Sequence, residues 1–492
     1  MNTASLVRVR LAPSPTGEVH IGTIWVGLFN WLFARQHSGT FVLRIEDTDR
    51  KRLVLGSPQR IEEALDWYGL TPDEGPRQGG PYGPYVQSQR LDLYQRYAAE
   101  LLDRQKAYYC FCTPARLETL RQQQQAAKLP PRYDKHCTTL TSEAVARRRS
   151  RGESAVVRIN LPTHGSIVHH DLIRQRVAFR FDQLDDSVIL KSDGFPTYHL
   201  AVVVDDHLMA ISHVIRAEEW LPSVPKHLWL YQALRWTPPK FAHVPLILGS
   251  DRKKLSKRHG AMPALAWRDQ GYRPEAMRNF LVLMGWHPKG DEEVLSTEEM
   301  VKQFHLEDVN PAAAIFDQRK LDWFNGWYLR HLSDDELWQA VQPFWRRPGS
   351  ARPRGWELRA LGLAKDRFRR LTDVDELMNV YFSAGWDEDL KRFSVVTLVP
   401  QDSSHRRTAE ALRWVRQWLS DYQTAWGVDA LRRDMMTAIA RVQRTNVEVL
   451  WPLRVALTLR AGSPDVFSIL SLLGHEETVR RLDQILTLLD RG

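Results

Sequence analysis

The sequence of 492 residues has few cysteines and no long apolar run. Its three cysteines, Cys110, Cys112 and Cys137, lie close together in the chain and are called the cysteine cluster below. This placement excludes a disulfide framework spread over the protein and favours a local metal site. No apolar stretch reaches the roughly 18 residues of a membrane span, and the initial segment MNTASLVRVRLAP lacks the apolar core of a secretory signal. We therefore expect no membrane partner and a cytoplasmic or equivalent location.

The composition also lacks the extremes that mark special classes of protein. Hydrophobic residues make up 43% and charged residues 26% of the chain, which excludes a disordered or fibrous protein. The formal net charge of +9 favours a polyanionic partner such as nucleic acid, although a basic protein without such a partner is an equal alternative on charge alone. The length exceeds that of one compact core and suggests about three or four domains.

Strand and helix patterns alternate in the first part of the chain. Val7, Val9 and Leu11 alternate with arginines, and residues 41–45 form a second short apolar run, so both segments are predicted strands. Between them, apolar residues recur at helical spacing over 21–32. This order of strand, helix and strand predicts a doubly wound parallel sheet.

The middle of the chain interrupts this pattern. It contains a glutamine-rich polar helix, an arginine run at 147–151 and short strands around 156–159 and 177–181, which predict an inserted domain. The apolar runs 200–204 and 243–248 predict buried strands, with which the sheet resumes. The last third has apolar residues at helical spacing. The predicted fold class is therefore α/β, with a Rossmann-type doubly wound parallel sheet, an inserted α+β domain and an all-α C-terminal region.

Two loops that are far apart in the sequence have the features of a phosphate-binding site. The loop 13–17 joins the first strand to a helix that starts near His20 and Gly22, so that backbone N–H groups and the positive helix end face a bound phosphate. The loop 254–258, KLSKR, supplies ammonium groups that neutralise a triphosphate. Each loop alone is more typical of a turn or a surface charge run. Together they indicate two cationic arms that close on ATP.

This pair resembles the HIGH and KMSKS signature sequences of class I aminoacyl-tRNA synthetases, with Thr23 in place of the last histidine and KLSKR in place of KMSKS. Other stretches resemble the bacterial-type glutamyl-tRNA synthetases within that class. They are APSPTGEVHIG at 12–22, LRIEDTD at 43–49, KSDGFPTYHLA at 191–201 and VVDDHLMAISHVIRAEEW at 203–220. The resemblance is strong over roughly residues 7–330 and looser in the helical remainder.

The resemblance implies a set of site residues. The residues implied to bind glutamate are Arg10, Ser14, Glu46, Tyr198 and Arg216. Those implied to bind ATP are His20, Gly22, Glu219, Trp220, Lys254, Ser256 and Lys257, of which His20, Lys254 and Lys257 are the catalytic ones. The chemistry of the residue types agrees, because a carboxylate substrate needs a fixed guanidinium fork and a carboxylate side chain can hold an α-ammonium group. For any single arginine, a surface ion pair is the alternative interpretation.

The resemblance also implies the reaction and the partners. The glutamate carboxylate attacks the α-phosphate of ATP, and a ribose hydroxyl of the terminal adenosine of tRNA(Glu) then attacks the adenylate. Neither step needs a protein nucleophile, so the absence of a nucleophile–base motif is expected. Mg²⁺ is expected with ATP. The expected partners are therefore ATP, L-glutamate and tRNA(Glu), bound by a monomer.

The cysteine cluster suits a structural Zn²⁺ with tetrahedral coordination. Some members of the family continue with Cys-x-His here, but Thr139 stands where that histidine is expected. By resemblance to related proteins, Tyr133 is the first candidate for the fourth ligand, and His136 is the alternative. Three thiols without a metal remain a third interpretation.

The rival functions are a glutaminyl-tRNA synthetase, the short paralogue that glutamylates a modified tRNA base, and a catalytically inactive tRNA-binding module. The long helical C-terminal part disfavours the first two, and the two phosphate-handling loops disfavour the third. Within Lys365–Leu371, Arg367 resembles the arginine that selects the third anticodon base in discriminating enzymes. Contact with tRNA phosphates is the alternative role for this arginine-rich segment.

The domain organisation follows from these assignments. We expect the catalytic Rossmann-type domain to comprise residues 1–100 and 191–260, the second part including KLSKR. Residues 101–190 are the expected inserted, acceptor-binding domain with the zinc site. The expected helical stem-contact region covers 261–325, and the expected anticodon-binding region covers 326–492.

Overall fold

The computed structural model describes residues 6–255, 262–346 and 352–490. The chain forms two compact units, which are considered separately. The first unit comprises 1–268 and 274–318, and the second comprises 269–273 and 319–492.

The secondary structure is a mixture of short strands in the first unit and helices throughout. The strands are β1 (Arg8–Leu11), β2 (Thr40–Leu43), β3 (Ala107–Cys110), β4 (Val156–Ile159), β5 (Ser166–Asp171), β6 (Gln175–Arg180), β7 (Val188–Leu190), β8 (His213–Ala217), β9 (Lys240–Val244), β10 (Ile247–Leu248) and β11 (Ala314–Ile315). The helices up to Gln303 are α1 (Ile21–Gln36), α2 (Ser57–Trp67), α3 (Leu91–Asp103), α4 (Pro114–Ala126), α5 (Ser142–Ser150), α6 (Tyr198–Leu208), α7 (Val224–Leu234), α8 (Ala266–Asp269), α9 (Pro274–Gly285) and α10 (Thr297–Gln303). The later helices are α11 (Gln318–His331), α12 (Asp334–Val341), α13 (Arg354–Ala364), α14 (Val374–Asn379), α15 (Ser383–Leu390), α16 (His405–Ser420), α17 (Val428–Arg441), α18 (Asn446–Thr458), α19 (Val466–Leu473) and α20 (His475–Leu489).

The predicted parallel sheet is present, with an antiparallel strand at its edge. β1 pairs with β2 in parallel, and β9 pairs in parallel with both β8 and β5. Ser212, just before β8, donates its backbone N–H to the carbonyl of Arg8 at 2.9 Å and so joins the two pairs. β6 is antiparallel to β5. The sheet is thus mixed, and its parallel strands bring several carboxyl ends to one edge, where α/β proteins bind ligands.

One predicted strand is a helix. Residues 200–204, LAVVV, lie in α6 and are all buried. A continuous apolar run is compatible with a strand covered on both faces and equally with a helix surrounded by core, so the pattern alone does not separate the two. The strand prediction for this segment was wrong. The run 243–248 is correctly predicted, since it contributes the end of β9 and all of β10.

The inserted segment has its own antiparallel sheet. β4 lies between β3 and β7 in this sheet, and α4 and α5 belong to the same stretch of chain. β5 and β6 fall within the predicted inserted domain of 101–190, yet Asp171 of β5 pairs with Phe241 of β9 in the larger sheet. The insertion is therefore not one continuous segment, because part of it returns to the edge of the parallel sheet.

The second unit is all-α in its described residues, as predicted. Its core includes the buried Trp386 and the fully buried Arg481, whose guanidinium donates to two backbone carbonyls at 2.6 Å, those of Val380 and Leu457. The predicted boundary at 325/326 lies inside α11. This helix groups with the second unit, where Asn325 donates to the carbonyl of Arg369 at 2.6 Å. No described helix is both long and apolar enough to cross a membrane.

Candidate active site

A cleft of about 1170 Å³ opens beside the carboxyl ends of β1, β2 and β8. Every described residue of the predicted glutamate and ATP sites lines it. These residues are Arg10, Ser14, His20, Gly22, Glu46, Tyr198, Arg216, Glu219, Trp220 and Lys254. Ser256 and Lys257, the other two predicted ATP-binding residues, lie outside the described residues. The fold therefore brings together, from distant parts of the first unit, the residues that the sequence motifs singled out.

His20 is the N-cap of α1. Its Nδ1 accepts a hydrogen bond from the Gly22 backbone N–H at 3.0 Å. A neutral imidazole that accepts through Nδ1 carries its proton on Nε2, so this cap selects one tautomer. A Cβ atom on residue 22 would lie 3.2 Å from the same Nδ1, so a side chain here would require a small shift of the His20 ring. The cap thus orients the ring at the positive end of the helix.

The opposite wall of the cleft carries a cation and an exposed aromatic ring. The Lys254 ammonium group forms an ion pair with the Glu219 carboxylate. Trp220 is 39% exposed, and its ring packs against that of Tyr198 with 4.4 Å between centroids. Glu219 and Trp220 belong to the 3₁₀ segment Glu218–Ser223, which begins directly after β8. The end of β8 therefore positions both a carboxylate and an aromatic ring at the cleft.

A buried network of charges lies below the cleft. Asp206 accepts from Arg10 Nε at 3.1 Å and from Arg44 at 2.7 Å, and Arg44 also donates to Glu46 at 3.0 Å. Burial would raise the pKa of Asp206, but the two arginines hold it below the ordinary value. Burial raises the pKa of Glu46 more than Arg44 and Arg10 lower it. Arg44 and Asp206 thus hold Arg10 and Glu46 at the wall of the cleft.

Arg216 is 5% exposed and is surrounded by neutral acceptors. Its Nε donates to His243 Nε2 at 3.0 Å, one Nη donates to the hydroxyl of Tyr198 at 2.8 Å, and the other donates to the carbonyl of Trp220 at 3.2 Å. His227 Nδ1 lies 3.4 Å from the guanidinium as well. Burial, assisted by the nearby Arg10, lowers the pKa of Arg216. No carboxylate of the described residues pairs with it, so its charge is available to an anionic ligand.

Three polar residues that support this site, Asp206, Lys191 and His243, could not be assigned a role from the sequence. Asp206 had one signal, a pair of acids inside an apolar run, since buried carboxylates need partners. Lys191 lines the mouth of the cleft and donates to the carbonyl of Thr48 at 3.1 Å. It is the first residue of the motif KSDGFPTYHLA, so it belongs to a segment that the resemblance singled out, but no role was predicted for it. His243 had no signal beyond its place in a predicted buried strand.

The cysteine cluster is assembled by β3 and the 3₁₀ segment His136–Thr139. The three Sγ atoms lie within 4.8 Å of one another. The hydroxyl of Tyr133 lies 3.4 Å from Cys110 Sγ and 3.3 Å from Cys112 Sγ. His136, the alternative fourth ligand, is exposed and does not belong to this group. The donor set of three thiols and a phenol therefore fits Zn²⁺, with Tyr133 nearer than His136.

Arg367 lies in the second unit. It ends the 3₁₀ segment Lys365–Arg367, which follows α13 directly. The side chain is exposed, and it forms no hydrogen bond or ion pair with the part of the chain that the structure describes. Its guanidinium is therefore accessible to a ligand.

Models of two protein families match the chain. Residues 6–323 match the catalytic domain of the class I tRNA synthetases of the E and Q type. Residues 336–486 match the anticodon binding domain. The two matches lie largely in the first and the second unit, respectively.

Individual proteins match along nearly the whole chain. Glutamate–tRNA ligase of Acidothermus cellulolyticus is 43% identical and covers 99% of this chain and 96% of its own length. The corresponding ligase of Moorella thermoacetica is 42% identical, with 97% of each covered. A crystal structure of a glutamate–tRNA ligase from Elizabethkingia meningosepticum, in complex with its amino acid, superimposes with a TM-score of 0.88 at 34% identity, covering 98% of this chain and 99% of that one. The chain belongs to the glutamate–tRNA ligase family of class I tRNA synthetases.

Proposed function

We propose that the protein activates L-glutamate with ATP, forming glutamyl-adenylate and pyrophosphate, and then transfers the glutamyl group to the terminal adenosine of tRNA(Glu). The observation that carries this proposal is the buried guanidinium of Arg216, which faces the cleft with neutral partners. A substrate with a side-chain carboxylate supplies the missing negative charge. Glutamine would leave the same cation desolvated and uncompensated.

The other glutamate-binding roles follow from the charges around the cleft. Glu46 holds the α-ammonium group, because its carboxylate is fixed by Arg44 at the cleft wall. Arg10 uses two nitrogens for Asp206 and directs the remainder of its fork to the substrate. Tyr198 donates its hydroxyl proton to glutamate, since the oxygen already accepts from Arg216. Ser14, exposed at the cleft, completes the pocket.

ATP binds between the two signature loops. His20 donates from Nε2 to a phosphate oxygen at the N-terminus of α1, beside the backbone of Gly22. Lys254, with Ser256 and Lys257 of the same KLSKR sequence, stabilises the charge that develops on the departing pyrophosphate. Trp220 and Glu219 contact the nucleoside. Mg²⁺ neutralises the phosphate charge when it is bound with ATP.

The reaction needs alignment and charge stabilisation rather than a protein nucleophile. A carboxylate oxygen of glutamate forms the new bond to the α-phosphorus, and the bond from that phosphorus to the bridging oxygen breaks, so that pyrophosphate leaves. In the second step the oxygen of a ribose hydroxyl, the 2′-OH in class I enzymes, bonds to the carbonyl carbon. The bond from that carbon to the phosphate oxygen breaks, so that AMP leaves with the bonding electrons, and the hydroxyl proton passes to an oxygen of the departing phosphate or to solvent. Arg216 and Glu46 hold the amino acid at both ends through both steps.

The cysteine cluster holds a structural Zn²⁺ in this proposal. Cys110, Cys112 and Cys137 supply thiolates, and Tyr133 supplies the fourth ligand. The metal ties β3 to the 3₁₀ segment His136–Thr139 and so stabilises the inserted segment, to which we assign the tRNA acceptor end.

We assign the anticodon to the second unit. The exposed Arg367 contacts the third base and favours cytosine, which offers acceptors to a guanidinium, over guanine, which offers an N–H and an amino group. The protein thus charges tRNA(Glu) in preference to tRNA(Gln). It acts as a monomer in the cytoplasm. We assign catalysis and the contacts with the acceptor end and stem of the tRNA to the first unit, and anticodon binding to the second.

An ATP–pyrophosphate exchange assay tests the proposed function. Glutamate, glutamine and no amino acid are compared, each with and without tRNA(Glu). We expect exchange that depends on glutamate, with a kcat/KM at least about a hundredfold above that for glutamine. Comparable values for the two amino acids would contradict the assignment, and exchange without any amino acid would indicate a different ATP-dependent activity.

A further inference from the structure

Arg216 is one end of a buried hydrogen-bond chain that leaves the cleft. Its Nε donates to His243 Nε2 at 3.0 Å, and His243 Nδ1 lies 2.5 Å from Asp171 Oδ2. His243 is completely buried and Asp171 is 3% exposed. Neither residue is among those that line the cleft. The chain thus extends from the cleft to β5, which lies between β9 and the edge strand β6 in the larger sheet.

The direction of each hydrogen bond in this chain is fixed. A guanidinium nitrogen only donates, so His243 must present a lone pair at Nε2 and carry its proton on Nδ1. The carboxylate of Asp171 accepts a hydrogen bond from this Nδ1–H group. Burial, opposed by Asp171 and reinforced by Arg216, lowers the pKa of His243 to about 4, which keeps the ring neutral. The ring therefore has one tautomer, with one orientation.

Asp171 is itself held rigidly. Its Oδ1 accepts three backbone N–H groups, from Ile173 at 3.0 Å, Arg174 at 2.9 Å and His243 at 3.1 Å. The other oxygen, Oδ2, faces the His243 imidazole at 2.5 Å and the Nε2 of His169 at the longer distance of 3.7 Å. The carboxylate cannot rotate without breaking several of these bonds, so the position of Oδ2 is set by the backbone of β5 and β9.

We propose that Asp171 and His243 are positioning residues for glutamate selection: Asp171 fixes the tautomer of His243, and His243 in that tautomer fixes the orientation of the Arg216 guanidinium toward the substrate carboxylate. This inference rests on the proposed function, since it takes Arg216 as the partner of the glutamate side chain. It adds a residue of β5, outside the cleft, to the determinants of substrate choice.

The chain of Asp171, His243 and Arg216 is called the relay below. It explains why the Asp171 carboxylate acts on Arg216 only through the His243 imidazole. A carboxylate in direct contact would neutralise the guanidinium and compete with the substrate, as Asp206 does for part of Arg10. A neutral imidazole orients Arg216 by a hydrogen bond and leaves its charge uncompensated. The negative charge of Asp171 then lies one ring away from the cation.

Asp171→Asn is the most direct test. The Asn oxygen keeps the three backbone N–H groups, so the amide nitrogen takes the place of Oδ2 and donates to His243 Nδ1. The ring proton moves to Nε2 and meets the N–H of Arg216. Because a buried donor loses its acceptor, we expect KM for glutamate to rise by about tenfold to hundredfold while KM for ATP stays within about twofold. Asp182→Asn, the same change on an exposed carboxylate paired with Arg180, is the matched control.

A second pair of variants separates orientation from folding. His243→Gln retains an acceptor that can reach Arg216, whereas His243→Leu does not, so we expect KM for glutamate to rise less in the glutamine variant. In the His243→Leu background, Asp171→Asn should have no further effect on KM, because its influence passes through the ring. Circular dichroism and the KM for ATP report the fold of each variant.

Each outcome of these measurements either supports or contradicts the proposed positioning roles of Asp171 and His243. A KM for glutamate that is unchanged in Asp171→Asn, or that rises together with KM for ATP, would overturn the relay, as would independent effects of the two substitutions. If the parent protein does not activate glutamate at all, the proposed function fails and the relay fails with it. If the parent activates glutamate and the variants match it, only the relay is wrong.

Discussion

The hydroxyl oxygen of Tyr133 lies 3.4 Å from the Sγ atom of Cys110. This distance supports the proposal that Tyr133 is the fourth ligand of the zinc site formed by the cysteine cluster. We expect purified protein to contain about one zinc per chain, and Cys110→Ser to lose it. Tyr133→Phe should weaken zinc retention against a chelator, whereas His136→Ala should not. Metal content by mass spectrometry decides this, and an active preparation free of metal would contradict a required structural zinc.

Removal of the Arg216 side chain should raise KM for glutamate far more than KM for ATP. Because Arg216 is the proposed buried partner of the substrate carboxylate, Arg216→Ala is expected to raise KM for glutamate at least about thirtyfold, with little change in KM for ATP. Pyrophosphate exchange measures both constants. Arg180→Ala, which truncates an arginine outside the cleft, is the control. An unchanged KM for glutamate would remove Arg216 from the site.

Replacement of Arg367 should change which tRNA is charged. If Arg367 contacts the third anticodon base as proposed, the loss of its guanidinium should remove a preference for cytosine over guanine of roughly 1–3 kcal/mol, by analogy with other base contacts. We expect the parent to prefer the tRNA(Glu) transcript over tRNA(Gln), and Arg367→Gly to lower the ratio of their kcat/KM values. Arg406→Gly, at an exposed arginine of α16, controls for loss of positive charge. A ratio that Arg367→Gly leaves unchanged would show that selection lies elsewhere.

Acid should destabilise the second unit through Glu477. Burial opposes ionisation of this group, but Arg480 and Arg481 hold its pKa at about 2, below the ordinary 4.5. A depressed pKa means that the carboxylate stabilises the folded state above the ordinary pKa and that this is lost as pH falls from 4.5 toward about 2. The contribution is at most about 3 kcal/mol.

The Glu477 prediction is measured by thermal unfolding as a function of pH. Glu477→Gln should have a lower Tm than the parent near neutral pH, and the difference should shrink between pH 4.5 and pH 2. Glu388→Gln, in an exposed pair with Lys391, should show a much smaller difference. A constant gap between Glu477→Gln and the parent across that range would exclude linkage to this carboxyl group.

Much of the first part of the fold could be predicted from local patterns. β1, α1 and β2 were found because alternation and helical spacing are properties of contiguous residues. The segment 200–204 was misassigned because a fully buried helix shows the same apolar run as a buried strand. The return of β5 to β9 could not be predicted, since it depends on a single pairing between distant residues, Asp171 and Phe241.

The same distinction between local patterns and contacts of distant residues applies to the candidate site. Residues that face the cleft, such as His20 and Arg216, occur in motifs with a recognisable order along the chain. Residues that support the cleft without lining it, such as Asp171 and His243, are 72 positions apart, and no local sequence pattern relates them. Their relation depends on which imidazole nitrogen holds a proton, and no sequence pattern records that.

The hydrogen bond that caps α1 at His20 fixes the tautomer of this ring before any ligand binds. Because the Gly22 N–H occupies Nδ1 in the free protein, the ring already carries its proton on the nitrogen that a phosphate oxygen needs. In the proposed ATP site, the direction of this donor is therefore set by the fold of α1. The start of one helix serves as a preorganised electrostatic element, so any substitution of His20 is expected to change the helix and the nucleotide site together.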